Sequence, residues 1–179
     1  MRSLWRDKSG ATAIEFALVS LPVIYLMVGI VEFSVAMTVA NSLEAATNLS
    51  SRLGKTGYVA DQLTQKDTIR DEIERRVGPL IDMNKLEITT TAFKDFEDLD
   101  VQDPWNDANN NDYPDPGEWT DTNGNNFCDG CSGLGSGENV AIYKITYPWK
   151  IMTPLISAVV GDNGIIELTA YSVVKNEPY

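Results

Sequence analysis

The chain has 179 residues and no histidine, and its 14 lysine and arginine side chains against 26 aspartates and glutamates give a formal net charge of −12. The lack of histidine excludes a Ser-His-Asp triad and any histidine-ligated metal, and the acidic balance argues against nucleic acid as a partner. Residues 95–138 carry twelve acidic and no basic side chains, so the rest of the chain is neutral. The length suits one domain of moderate size.

An apolar segment near the N-terminus predicts a transmembrane helix over residues 11–40. No charged residue occurs from Phe16 to Val31, and the apolar stretch continues to Ala40 if Glu32 is tolerated. At 1.5 Å per residue, residues 16–40 of this helix reach roughly 37 Å, which exceeds a hydrocarbon core of about 30 Å.

The basic residues at the start of the chain predict its orientation. The positive-inside tendency places residues 1–10 in the cytoplasm and residues 41–179 outside. A secretory signal peptide is the competing interpretation, but its apolar core is usually shorter and is followed by a small-x-small cleavage site.

A glycine and a carboxylate mark the border of the apolar segment. Gly10 ends the polar leader, and Glu15 lies five residues later inside the apolar stretch. A carboxylate there is costly, so we expect either a snorkelling interfacial side chain or a cationic partner. Cleavage after Gly10 would create an α-amino group on Ala11, at i,i+4 spacing from Glu15.

These residues carry a family resemblance. The segments Gly10–Leu18 (GATAIEFAL), Leu21–Val23 (LPV) and Gly29–Phe33 (GIVEF) resemble the TadE-like pseudopilins and minor pilins of the tight-adherence (Flp, type IVc) pilus system. The tail, Val173–Tyr179, resembles the closing strand of that family. The resemblance covers residues 10–57 well and leaves the middle of the chain uncovered.

The resemblance implies a class III signal peptide that a prepilin peptidase cuts between Gly10 and Ala11. It implies N-methylation of Ala11 and a role for Glu15 in pilus assembly. It further implies a single-pass protein of the bacterial inner membrane with a periplasmic C-terminal domain that can enter the pilus, and its partners would be other pilins and the assembly platform. Glu32 is expected to be solvated near the outer interface.

Beyond the membrane, apolar periodicity predicts two helices. The first continues the membrane helix with an apolar stripe every three or four residues, and Gly54 and Gly57 are expected to end it. The second is predicted over 65–77, before a Gly-Pro stop. The first stripe consists of Ala36, Val39, Leu43, Ala46, Leu49 and Leu53; the second consists of Ile69, Ile73 and Val77.

Three β-rich runs follow, at Leu86–Phe93, Val140–Trp149 and Ile165–Val174. Residues 151–160 are apolar and predict either a short helix starting near Pro154 or a buried segment. The expected fold is α+β, with a long N-terminal helix packed on an antiparallel sheet and with residues 95–138 as a loop insertion.

The acidic insertion has the spacing of a calcium loop. From Asp107, the residues at positions 1, 3, 5, 7, 9 and 12 alternate as oxygen ligands do in such loops, although Asp112 replaces the glycine usual at position six. A partial second copy starts at Asp121 and has Ser132 at position twelve. We predict calcium as a cofactor; the predicted ligands are Asp107, Asn109, Asn111, Tyr113, Asp115 and Glu118, then Asp121, Asn123, Asn125, Phe127 and Asp129.

The alternative is a solvated Asp/Asn-rich loop without metal. The acidic residues that precede the calcium pattern are expected to be solvated and unpaired. They are Asp95, Glu97, Asp98, Asp100 and Asp103.

Cys128 and Cys131 form a CxxC pair within the second copy. Zinc would need four ligands, so export favours a local disulfide over a metal or redox site.

We consider three functions. The favoured one is a minor pilin or pseudopilin, processed by prepilin peptidase and active in pilus assembly, adhesion or secretion. The alternative is a calcium-stabilised adhesion protein that stays anchored in the membrane outside pili. An enzyme has little support, because a loop insertion in so small a domain supplies no evident cleft.

Overall fold

A computed structural model describes residues 10–56, 65–158, 160 and 163–178. Its helices are α1 (Ala11–Lys55), α2 (Gln65–Val77) and α3 (Pro154–Ser157), and its strands are β1 (Glu87–Phe93), β2 (Cys131–Ser132), β3 (Val140–Lys150) and β4 (Ile165–Lys175). The α+β class is confirmed. The predicted leader and Gly57 fall outside the described residues, apart from Gly10.

The four strands form an antiparallel sheet in the order β2-β1-β3-β4. β1 and β3 pair from Glu87 opposite Thr146 to Phe93 opposite Val140. The sequence did not predict β2, which lies inside the acidic insertion and pairs with the end of β1.

The chain divides into two compact units, residues 1–37 with 150–166 and residues 38–149 with 167–179. In the second unit, Val39, Leu43 and Ala46 of the predicted α1 stripe and the whole α2 stripe form the core with residues of the sheet, whereas Ala36 and Leu49 are not among the core residues. Burying these side chains is the main favourable contribution to folding. The core residues are Val39, Leu43, Ala46, Ile69, Ile73, Val77, Leu86, Ala141, Tyr143, Ile145, Tyr147 and Ala170.

The end of α1 corrects one prediction. Gly54 does not stop the helix but lies in its last turn, since α1 ends at Lys55. A Cβ at position 54 would overlap the buried Tyr143 ring and its hydroxyl. The glycine is therefore required here for close packing of α1 against the sheet rather than for helix termination.

In the first unit, the connection between β3 and β4 contains α3, as the helical alternative for residues 151–160 predicted. Thr153 is the N-cap residue and Pro154 occupies the first helical turn. The backbone N–H of Ile151 donates to Gly164 O at 2.8 Å, which closes the base of this connection.

Candidate functional site

The first acidic loop folds around its own side chains. Asp107 accepts hydrogen bonds from the backbone N–H groups of Asn111 (3.1 Å) and Asp112 (2.9 Å). The side-chain amides of Asn109 and Asn111 both donate to Oδ2 of Asp115, at 2.7 and 2.9 Å. The predicted ligand side chains at positions 1, 3, 5 and 9 are thus brought together.

Glu118 closes this loop from its far end. Its carboxylate accepts from the backbone N–H groups of Ala108 (3.1 Å) and Asp115 (3.3 Å). Trp105 and Trp119 pair as an isolated antiparallel bridge at the base of the loop. Position 12 is therefore hydrogen-bonded to the backbone of the same loop. Tyr113 follows at position 7, where its N–H donates to Asn111 Oδ1.

The second loop repeats this arrangement. Asp121 accepts from the backbone N–H groups of Asn125 (3.2 Å) and Asn126 (2.8 Å). The amides of Asn123 and Asn125 donate to Oδ2 of Asp129, at 3.0 and 2.6 Å. Two copies with the same spacing thus reach the same hydrogen-bonding pattern. Phe127, at position 7, donates its N–H to Asn125 Oδ1.

The residues at position six adopt the left-handed backbone conformation in both loops. Asp112 has φ 57° and Asn126 has φ 60°. Aspartate and asparagine tolerate this region better than other non-glycine residues, so the turn forms without the usual glycine.

Asp103 anchors the second loop, which corrects the prediction that it is solvated. It is only 2% exposed, and its carboxylate accepts from Thr122 N (2.8 Å), Thr122 Oγ1 (2.6 Å) and Asp129 N (2.8 Å). Burial by itself raises the pKa of Asp103, but the hydrogen bonds from Thr122 and Asp129 outweigh it and lower that pKa below its ordinary value.

Two more of the acidic residues that precede the calcium pattern also have partners. Asp95 pairs with Lys175 Nζ at 3.1 Å, and the pKa of Asp95 is lowered by the Phe96 N–H and by Lys175. Asp98 accepts from the Asn123 amide at 3.1 Å. Some of these acidic residues are therefore held by an ion pair or hydrogen bonds, rather than all being solvated and unpaired as predicted.

Within the described residues, no three histidine, cysteine, aspartate or glutamate side chains are grouped so as to hold a metal ion. In each loop, two asparagine amide N–H groups donate to the carboxylate at position nine. Binding a cation would require both amides to turn their oxygens inward.

The predicted disulfide is present between Cys128 and Cys131, whose Cα atoms are 5.6 Å apart. Cys131 also pairs with Ala92 of β1, and Gly130 N donates to Ala92 O at 2.9 Å. The disulfide thus fixes the end of the second loop to the sheet.

A cavity of about 500 Å³ lies between the loops and the sheet. Its lining includes Tyr113 and Phe127, which hold position seven of the two loops, together with Trp119 and the disulfide. The two position-seven side chains therefore share one concave surface.

The predicted processing residues lie at the start of α1. Gly10 is exposed in a turn, and Ala11 is the first helical residue. Glu15 is exposed one helical turn further on. The peptide bond between Gly10 and Ala11 thus lies where the regular helix begins.

α1 is long and apolar enough to cross a membrane, and none of its most apolar eighteen-residue stretch is buried. Sixteen large apolar side chains between Ile14 and Met37 are exposed. A core helix of a soluble domain would bury such a surface, so this surface requires a non-aqueous environment or a partner.

The comparison with protein families identifies this N-terminal segment. Residues 10–52 match the TadE-like protein family. No curated protein and no solved structure matches the chain.

The TadE-like match confirms the resemblance drawn from the sequence for this N-terminal segment. The TadE-like family is structural and non-enzymatic, and a match to it fits membrane anchoring by α1. The match ends before the acidic insertion, so both loops and the disulfide lie outside the TadE-like segment.

Two buried carboxylates were missed by sequence reasoning, which expected both to be solvated. Asp103 gave no local signal, because its partner Thr122 is 19 residues away. Glu32 did give a signal, namely a carboxylate within an apolar helix. It is 8% exposed and accepts from the backbone N–H groups of Met152 and Thr153.

Proposed function

We propose that this protein is a minor pilin or pseudopilin of a Tad-type pilus, anchored in the inner membrane by α1. Its C-terminal domain is periplasmic, and the protein acts as a structural component rather than as an enzyme. The single observation that carries the proposal is the TadE-like match over residues 10–52, which includes the apolar, uncovered part of α1.

We propose that a prepilin peptidase cuts the chain between Gly10 and Ala11. The exposed turn at Gly10, directly before the first helical residue, supports this. After cleavage, the new α-amino group of Ala11 lies one helical turn from Glu15. That spacing allows a charge pair within one subunit or between neighbours, which offsets the cost of a carboxylate in an apolar environment.

N-terminal sequencing of the full chain from membranes and from sheared pili tests this proposal. Expression with the peptidase should give Ala11 as the N-terminus, and Gly10→Val should leave the precursor intact. Thr12→Ala is the matched control and should be processed normally. Glu15→Gln should be processed but should be depleted from the pilus fraction. An intact precursor in peptidase-positive cells would contradict the processing step.

Recovery of the processed protein in sheared pili also separates the two candidate functions. A permanently anchored adhesion protein would stay in the membrane fraction, and its deletion would leave piliation unchanged. The proposed pilin or pseudopilin requires that deletion impairs pilus assembly.

We further propose that the two acidic loops bind calcium and that calcium orders them. The hydrogen bonds that tie Asp107, Asn109, Asn111, Asp115 and Glu118 into one compact loop with calcium-loop spacing support this. Three of those side chains are carboxylates, and oxygen ligands of this kind are the ones that calcium prefers. Extracellular modules bind calcium with dissociation constants of roughly 10⁻⁴–10⁻³ M, which suits a structural role.

Titration of the full chain in detergent micelles with calcium, and with terbium as a luminescent substitute, tests the loops. Trp105 and Trp119 lie at the base of the first loop and can sensitise terbium emission. Asp107→Asn with Asp115→Asn should abolish binding at the first loop.

The control removes the same charge outside the loops, through Glu97→Gln with Asp100→Asn. Both of those side chains are exposed. The control variant should bind as the wild type does. An absence of heat and of terbium emission in the wild type, or an equal loss in both variants, would contradict the calcium proposal.

A further inference from the structure

The connection between β3 and β4 carries no charged side chain over eleven residues. Residues 151–161 read IMTPLISAVVG, between Lys150 and Asp162. Met152 is 77% exposed and Val160 is 40% exposed. A solvent-facing strand connection is usually polar, so this composition calls for a partner.

This connection is attached to α1. A Cβ built at Gly29 would lie 3.1 Å from Cδ1 of Ile156, so the absence of a side chain at Gly29 lets α3 approach the helix closely. Three residues further along α1, Glu32 accepts from the backbone N–H groups of Met152 and Thr153. All of these residues belong to the same compact unit.

The position of the contact along α1 gives its depth in a membrane. The charge-free stretch begins at Phe16, and Gly29 lies thirteen residues beyond it, or about 20 Å at 1.5 Å per residue. A hydrocarbon core is about 30 Å thick. If the core starts at Phe16, the contact with α3 lies about two thirds of the way across it, at the level of the outer leaflet.

The hydrogen bonds at Glu32 are those that a low-dielectric site requires. A carboxylate in hydrocarbon is costly unless it is paired, and so are backbone N–H groups at the start of a helix. Here each satisfies the other, since the N–H groups immediately before α3 donate to Glu32.

We propose that residues 151–158 and 160 insert into the outer leaflet beside α1 as a second, non-spanning membrane contact, and that Glu32 is the positioning residue that holds them there. The partner is the lipid acyl chains, which would cover Met152, Val160 and the neighbouring apolar face of α1. This continues the surface that the membrane-spanning part of α1 already presents. The inference rests on the proposed membrane anchoring of α1.

Site-directed fluorescence on the full chain in phosphatidylcholine vesicles tests the inference. The chain's two native cysteines form a disulfide, so a single introduced thiol can carry a polarity-sensitive label. The label is placed through Met152→Cys, through Ile30→Cys as a control for lipid exposure on α1, and through Phe96→Cys as a control for solvent exposure. Ile30 is 57% exposed and Phe96 is 50% exposed. The quenchers are aqueous iodide and lipids with a nitroxide near the top of the acyl chain.

If the inference is right, the lipid nitroxide should quench the label at position 152 as strongly as the label at position 30. Iodide should quench the label at position 152 only weakly. Quenching by iodide to the extent seen at position 96 would overturn it. Protection from both quenchers would also overturn it and would indicate a second copy or another pilin as the covering partner. Failure of the label at position 30 to respond to the nitroxide would instead contradict membrane anchoring by α1.

The role of Glu32 is tested in the same assay. Glu32→Ala should release the connection, so that the label at position 152 becomes accessible to iodide while the label at position 30 is unchanged. Glu32→Gln keeps a carbonyl acceptor and should restore the lipid quenching. An unchanged label at position 152 in Glu32→Ala would overturn the positioning role.

Discussion

Asp103 offers the sharpest test of how the acidic insertion is held. Its carboxylate is 2% exposed and accepts three hydrogen bonds, two from Thr122 and one from the Asp129 backbone. In Asp103→Asn, the amide oxygen can keep the two hydrogen bonds from Thr122. The amide nitrogen would then face the Asp129 N–H, donor against donor, so that bond is lost.

The expected cost follows from those bonds. A hydrogen bond to a charged group contributes about 1.5–3 kcal/mol, and a buried donor left without a partner adds a penalty of similar size. We therefore expect Asp103→Asn to lower the free energy of unfolding by about 2–4 kcal/mol. Asp100 is exposed, so Asp100→Asn is the matched control and should change it by less than about 0.5 kcal/mol.

Urea unfolding of the full chain in detergent micelles measures both variants. The emission of Trp105 and Trp119 reports on the insertion directly, because the two residues form a bridge at the base of the first loop. Equal stabilities for the Asp103 and Asp100 variants would refute the conclusion that Asp103 anchors the insertion.

The difference in stability between the wild type and Asp103→Asn should also depend on pH. The pKa of Asp103 is lowered from its ordinary value of 3.8, so the folded state binds its proton less tightly than the unfolded state. The stabilisation is complete well above pH 3.8 and is lost as the pH falls through the lower folded-state pKa. The stability difference between wild type and Asp103→Asn should therefore shrink in acid; a gap that widens would contradict the sign of the shift.

Three further predictions concern the core and the surface, and the same unfolding assay checks each. Ile73→Ala removes a fully buried side chain and should cost about 2–5 kcal/mol; a smaller loss would mean that the site collapses around the cavity. Gly54→Ala places a methyl group against Tyr143 and should cost about 1–3 kcal/mol through overpacking; wild-type stability would contradict that contact. Lys175→Met breaks an exposed pair with Asp95 and should leave stability unchanged within error; a clear loss would show that the pair is more than a surface contact.

Local patterns were sufficient for most of the fold. The stripe of Ile69, Ile73 and Val77 predicted α2 within its observed bounds, because 3.6-residue periodicity requires only neighbouring residues. β4 was equally local, since its sequence is rich in β-branched residues. The calcium spacing picked out side chains that hydrogen-bond within each loop, while calcium binding stays a prediction.

The predictions that failed depended on distant partners. Glu32 was expected to be solvated because the prediction placed it near the outer interface, yet it accepts from donors 120 and 121 residues away. β2 has only two residues and exists because β1 pairs with it. Gly54 looked like a helix stop, and only the position of Tyr143 shows why it is a glycine. Short-range patterns carry no information of this kind.

The two loops differ in how completely protein N–H donors already hydrogen-bond their carboxylates. This difference predicts an order of calcium affinity. Asp129, at position nine of the second loop, is fully buried and accepts from Lys94 N at 2.7 Å besides its two asparagine amides. Calcium binding at the second loop would have to displace these N–H donors. It would gain only two carboxylate ligands, Asp121 and Asp129. In the first loop, Asp115 and Glu118 are only partly buried, and Asp107 adds a third carboxylate.

The proposed calcium sites should therefore fill in the order first loop, then second loop. Asp107→Asn should remove the tighter binding step in a calcium titration of the full chain, while Asp121→Asn, the same charge change at the equivalent position, should leave that step intact. The physical reason is that ligand charge raises calcium affinity, whereas prior satisfaction of a carboxylate by protein donors lowers it. A tighter step that disappears with Asp121→Asn and survives Asp107→Asn would reverse the order and contradict this reasoning.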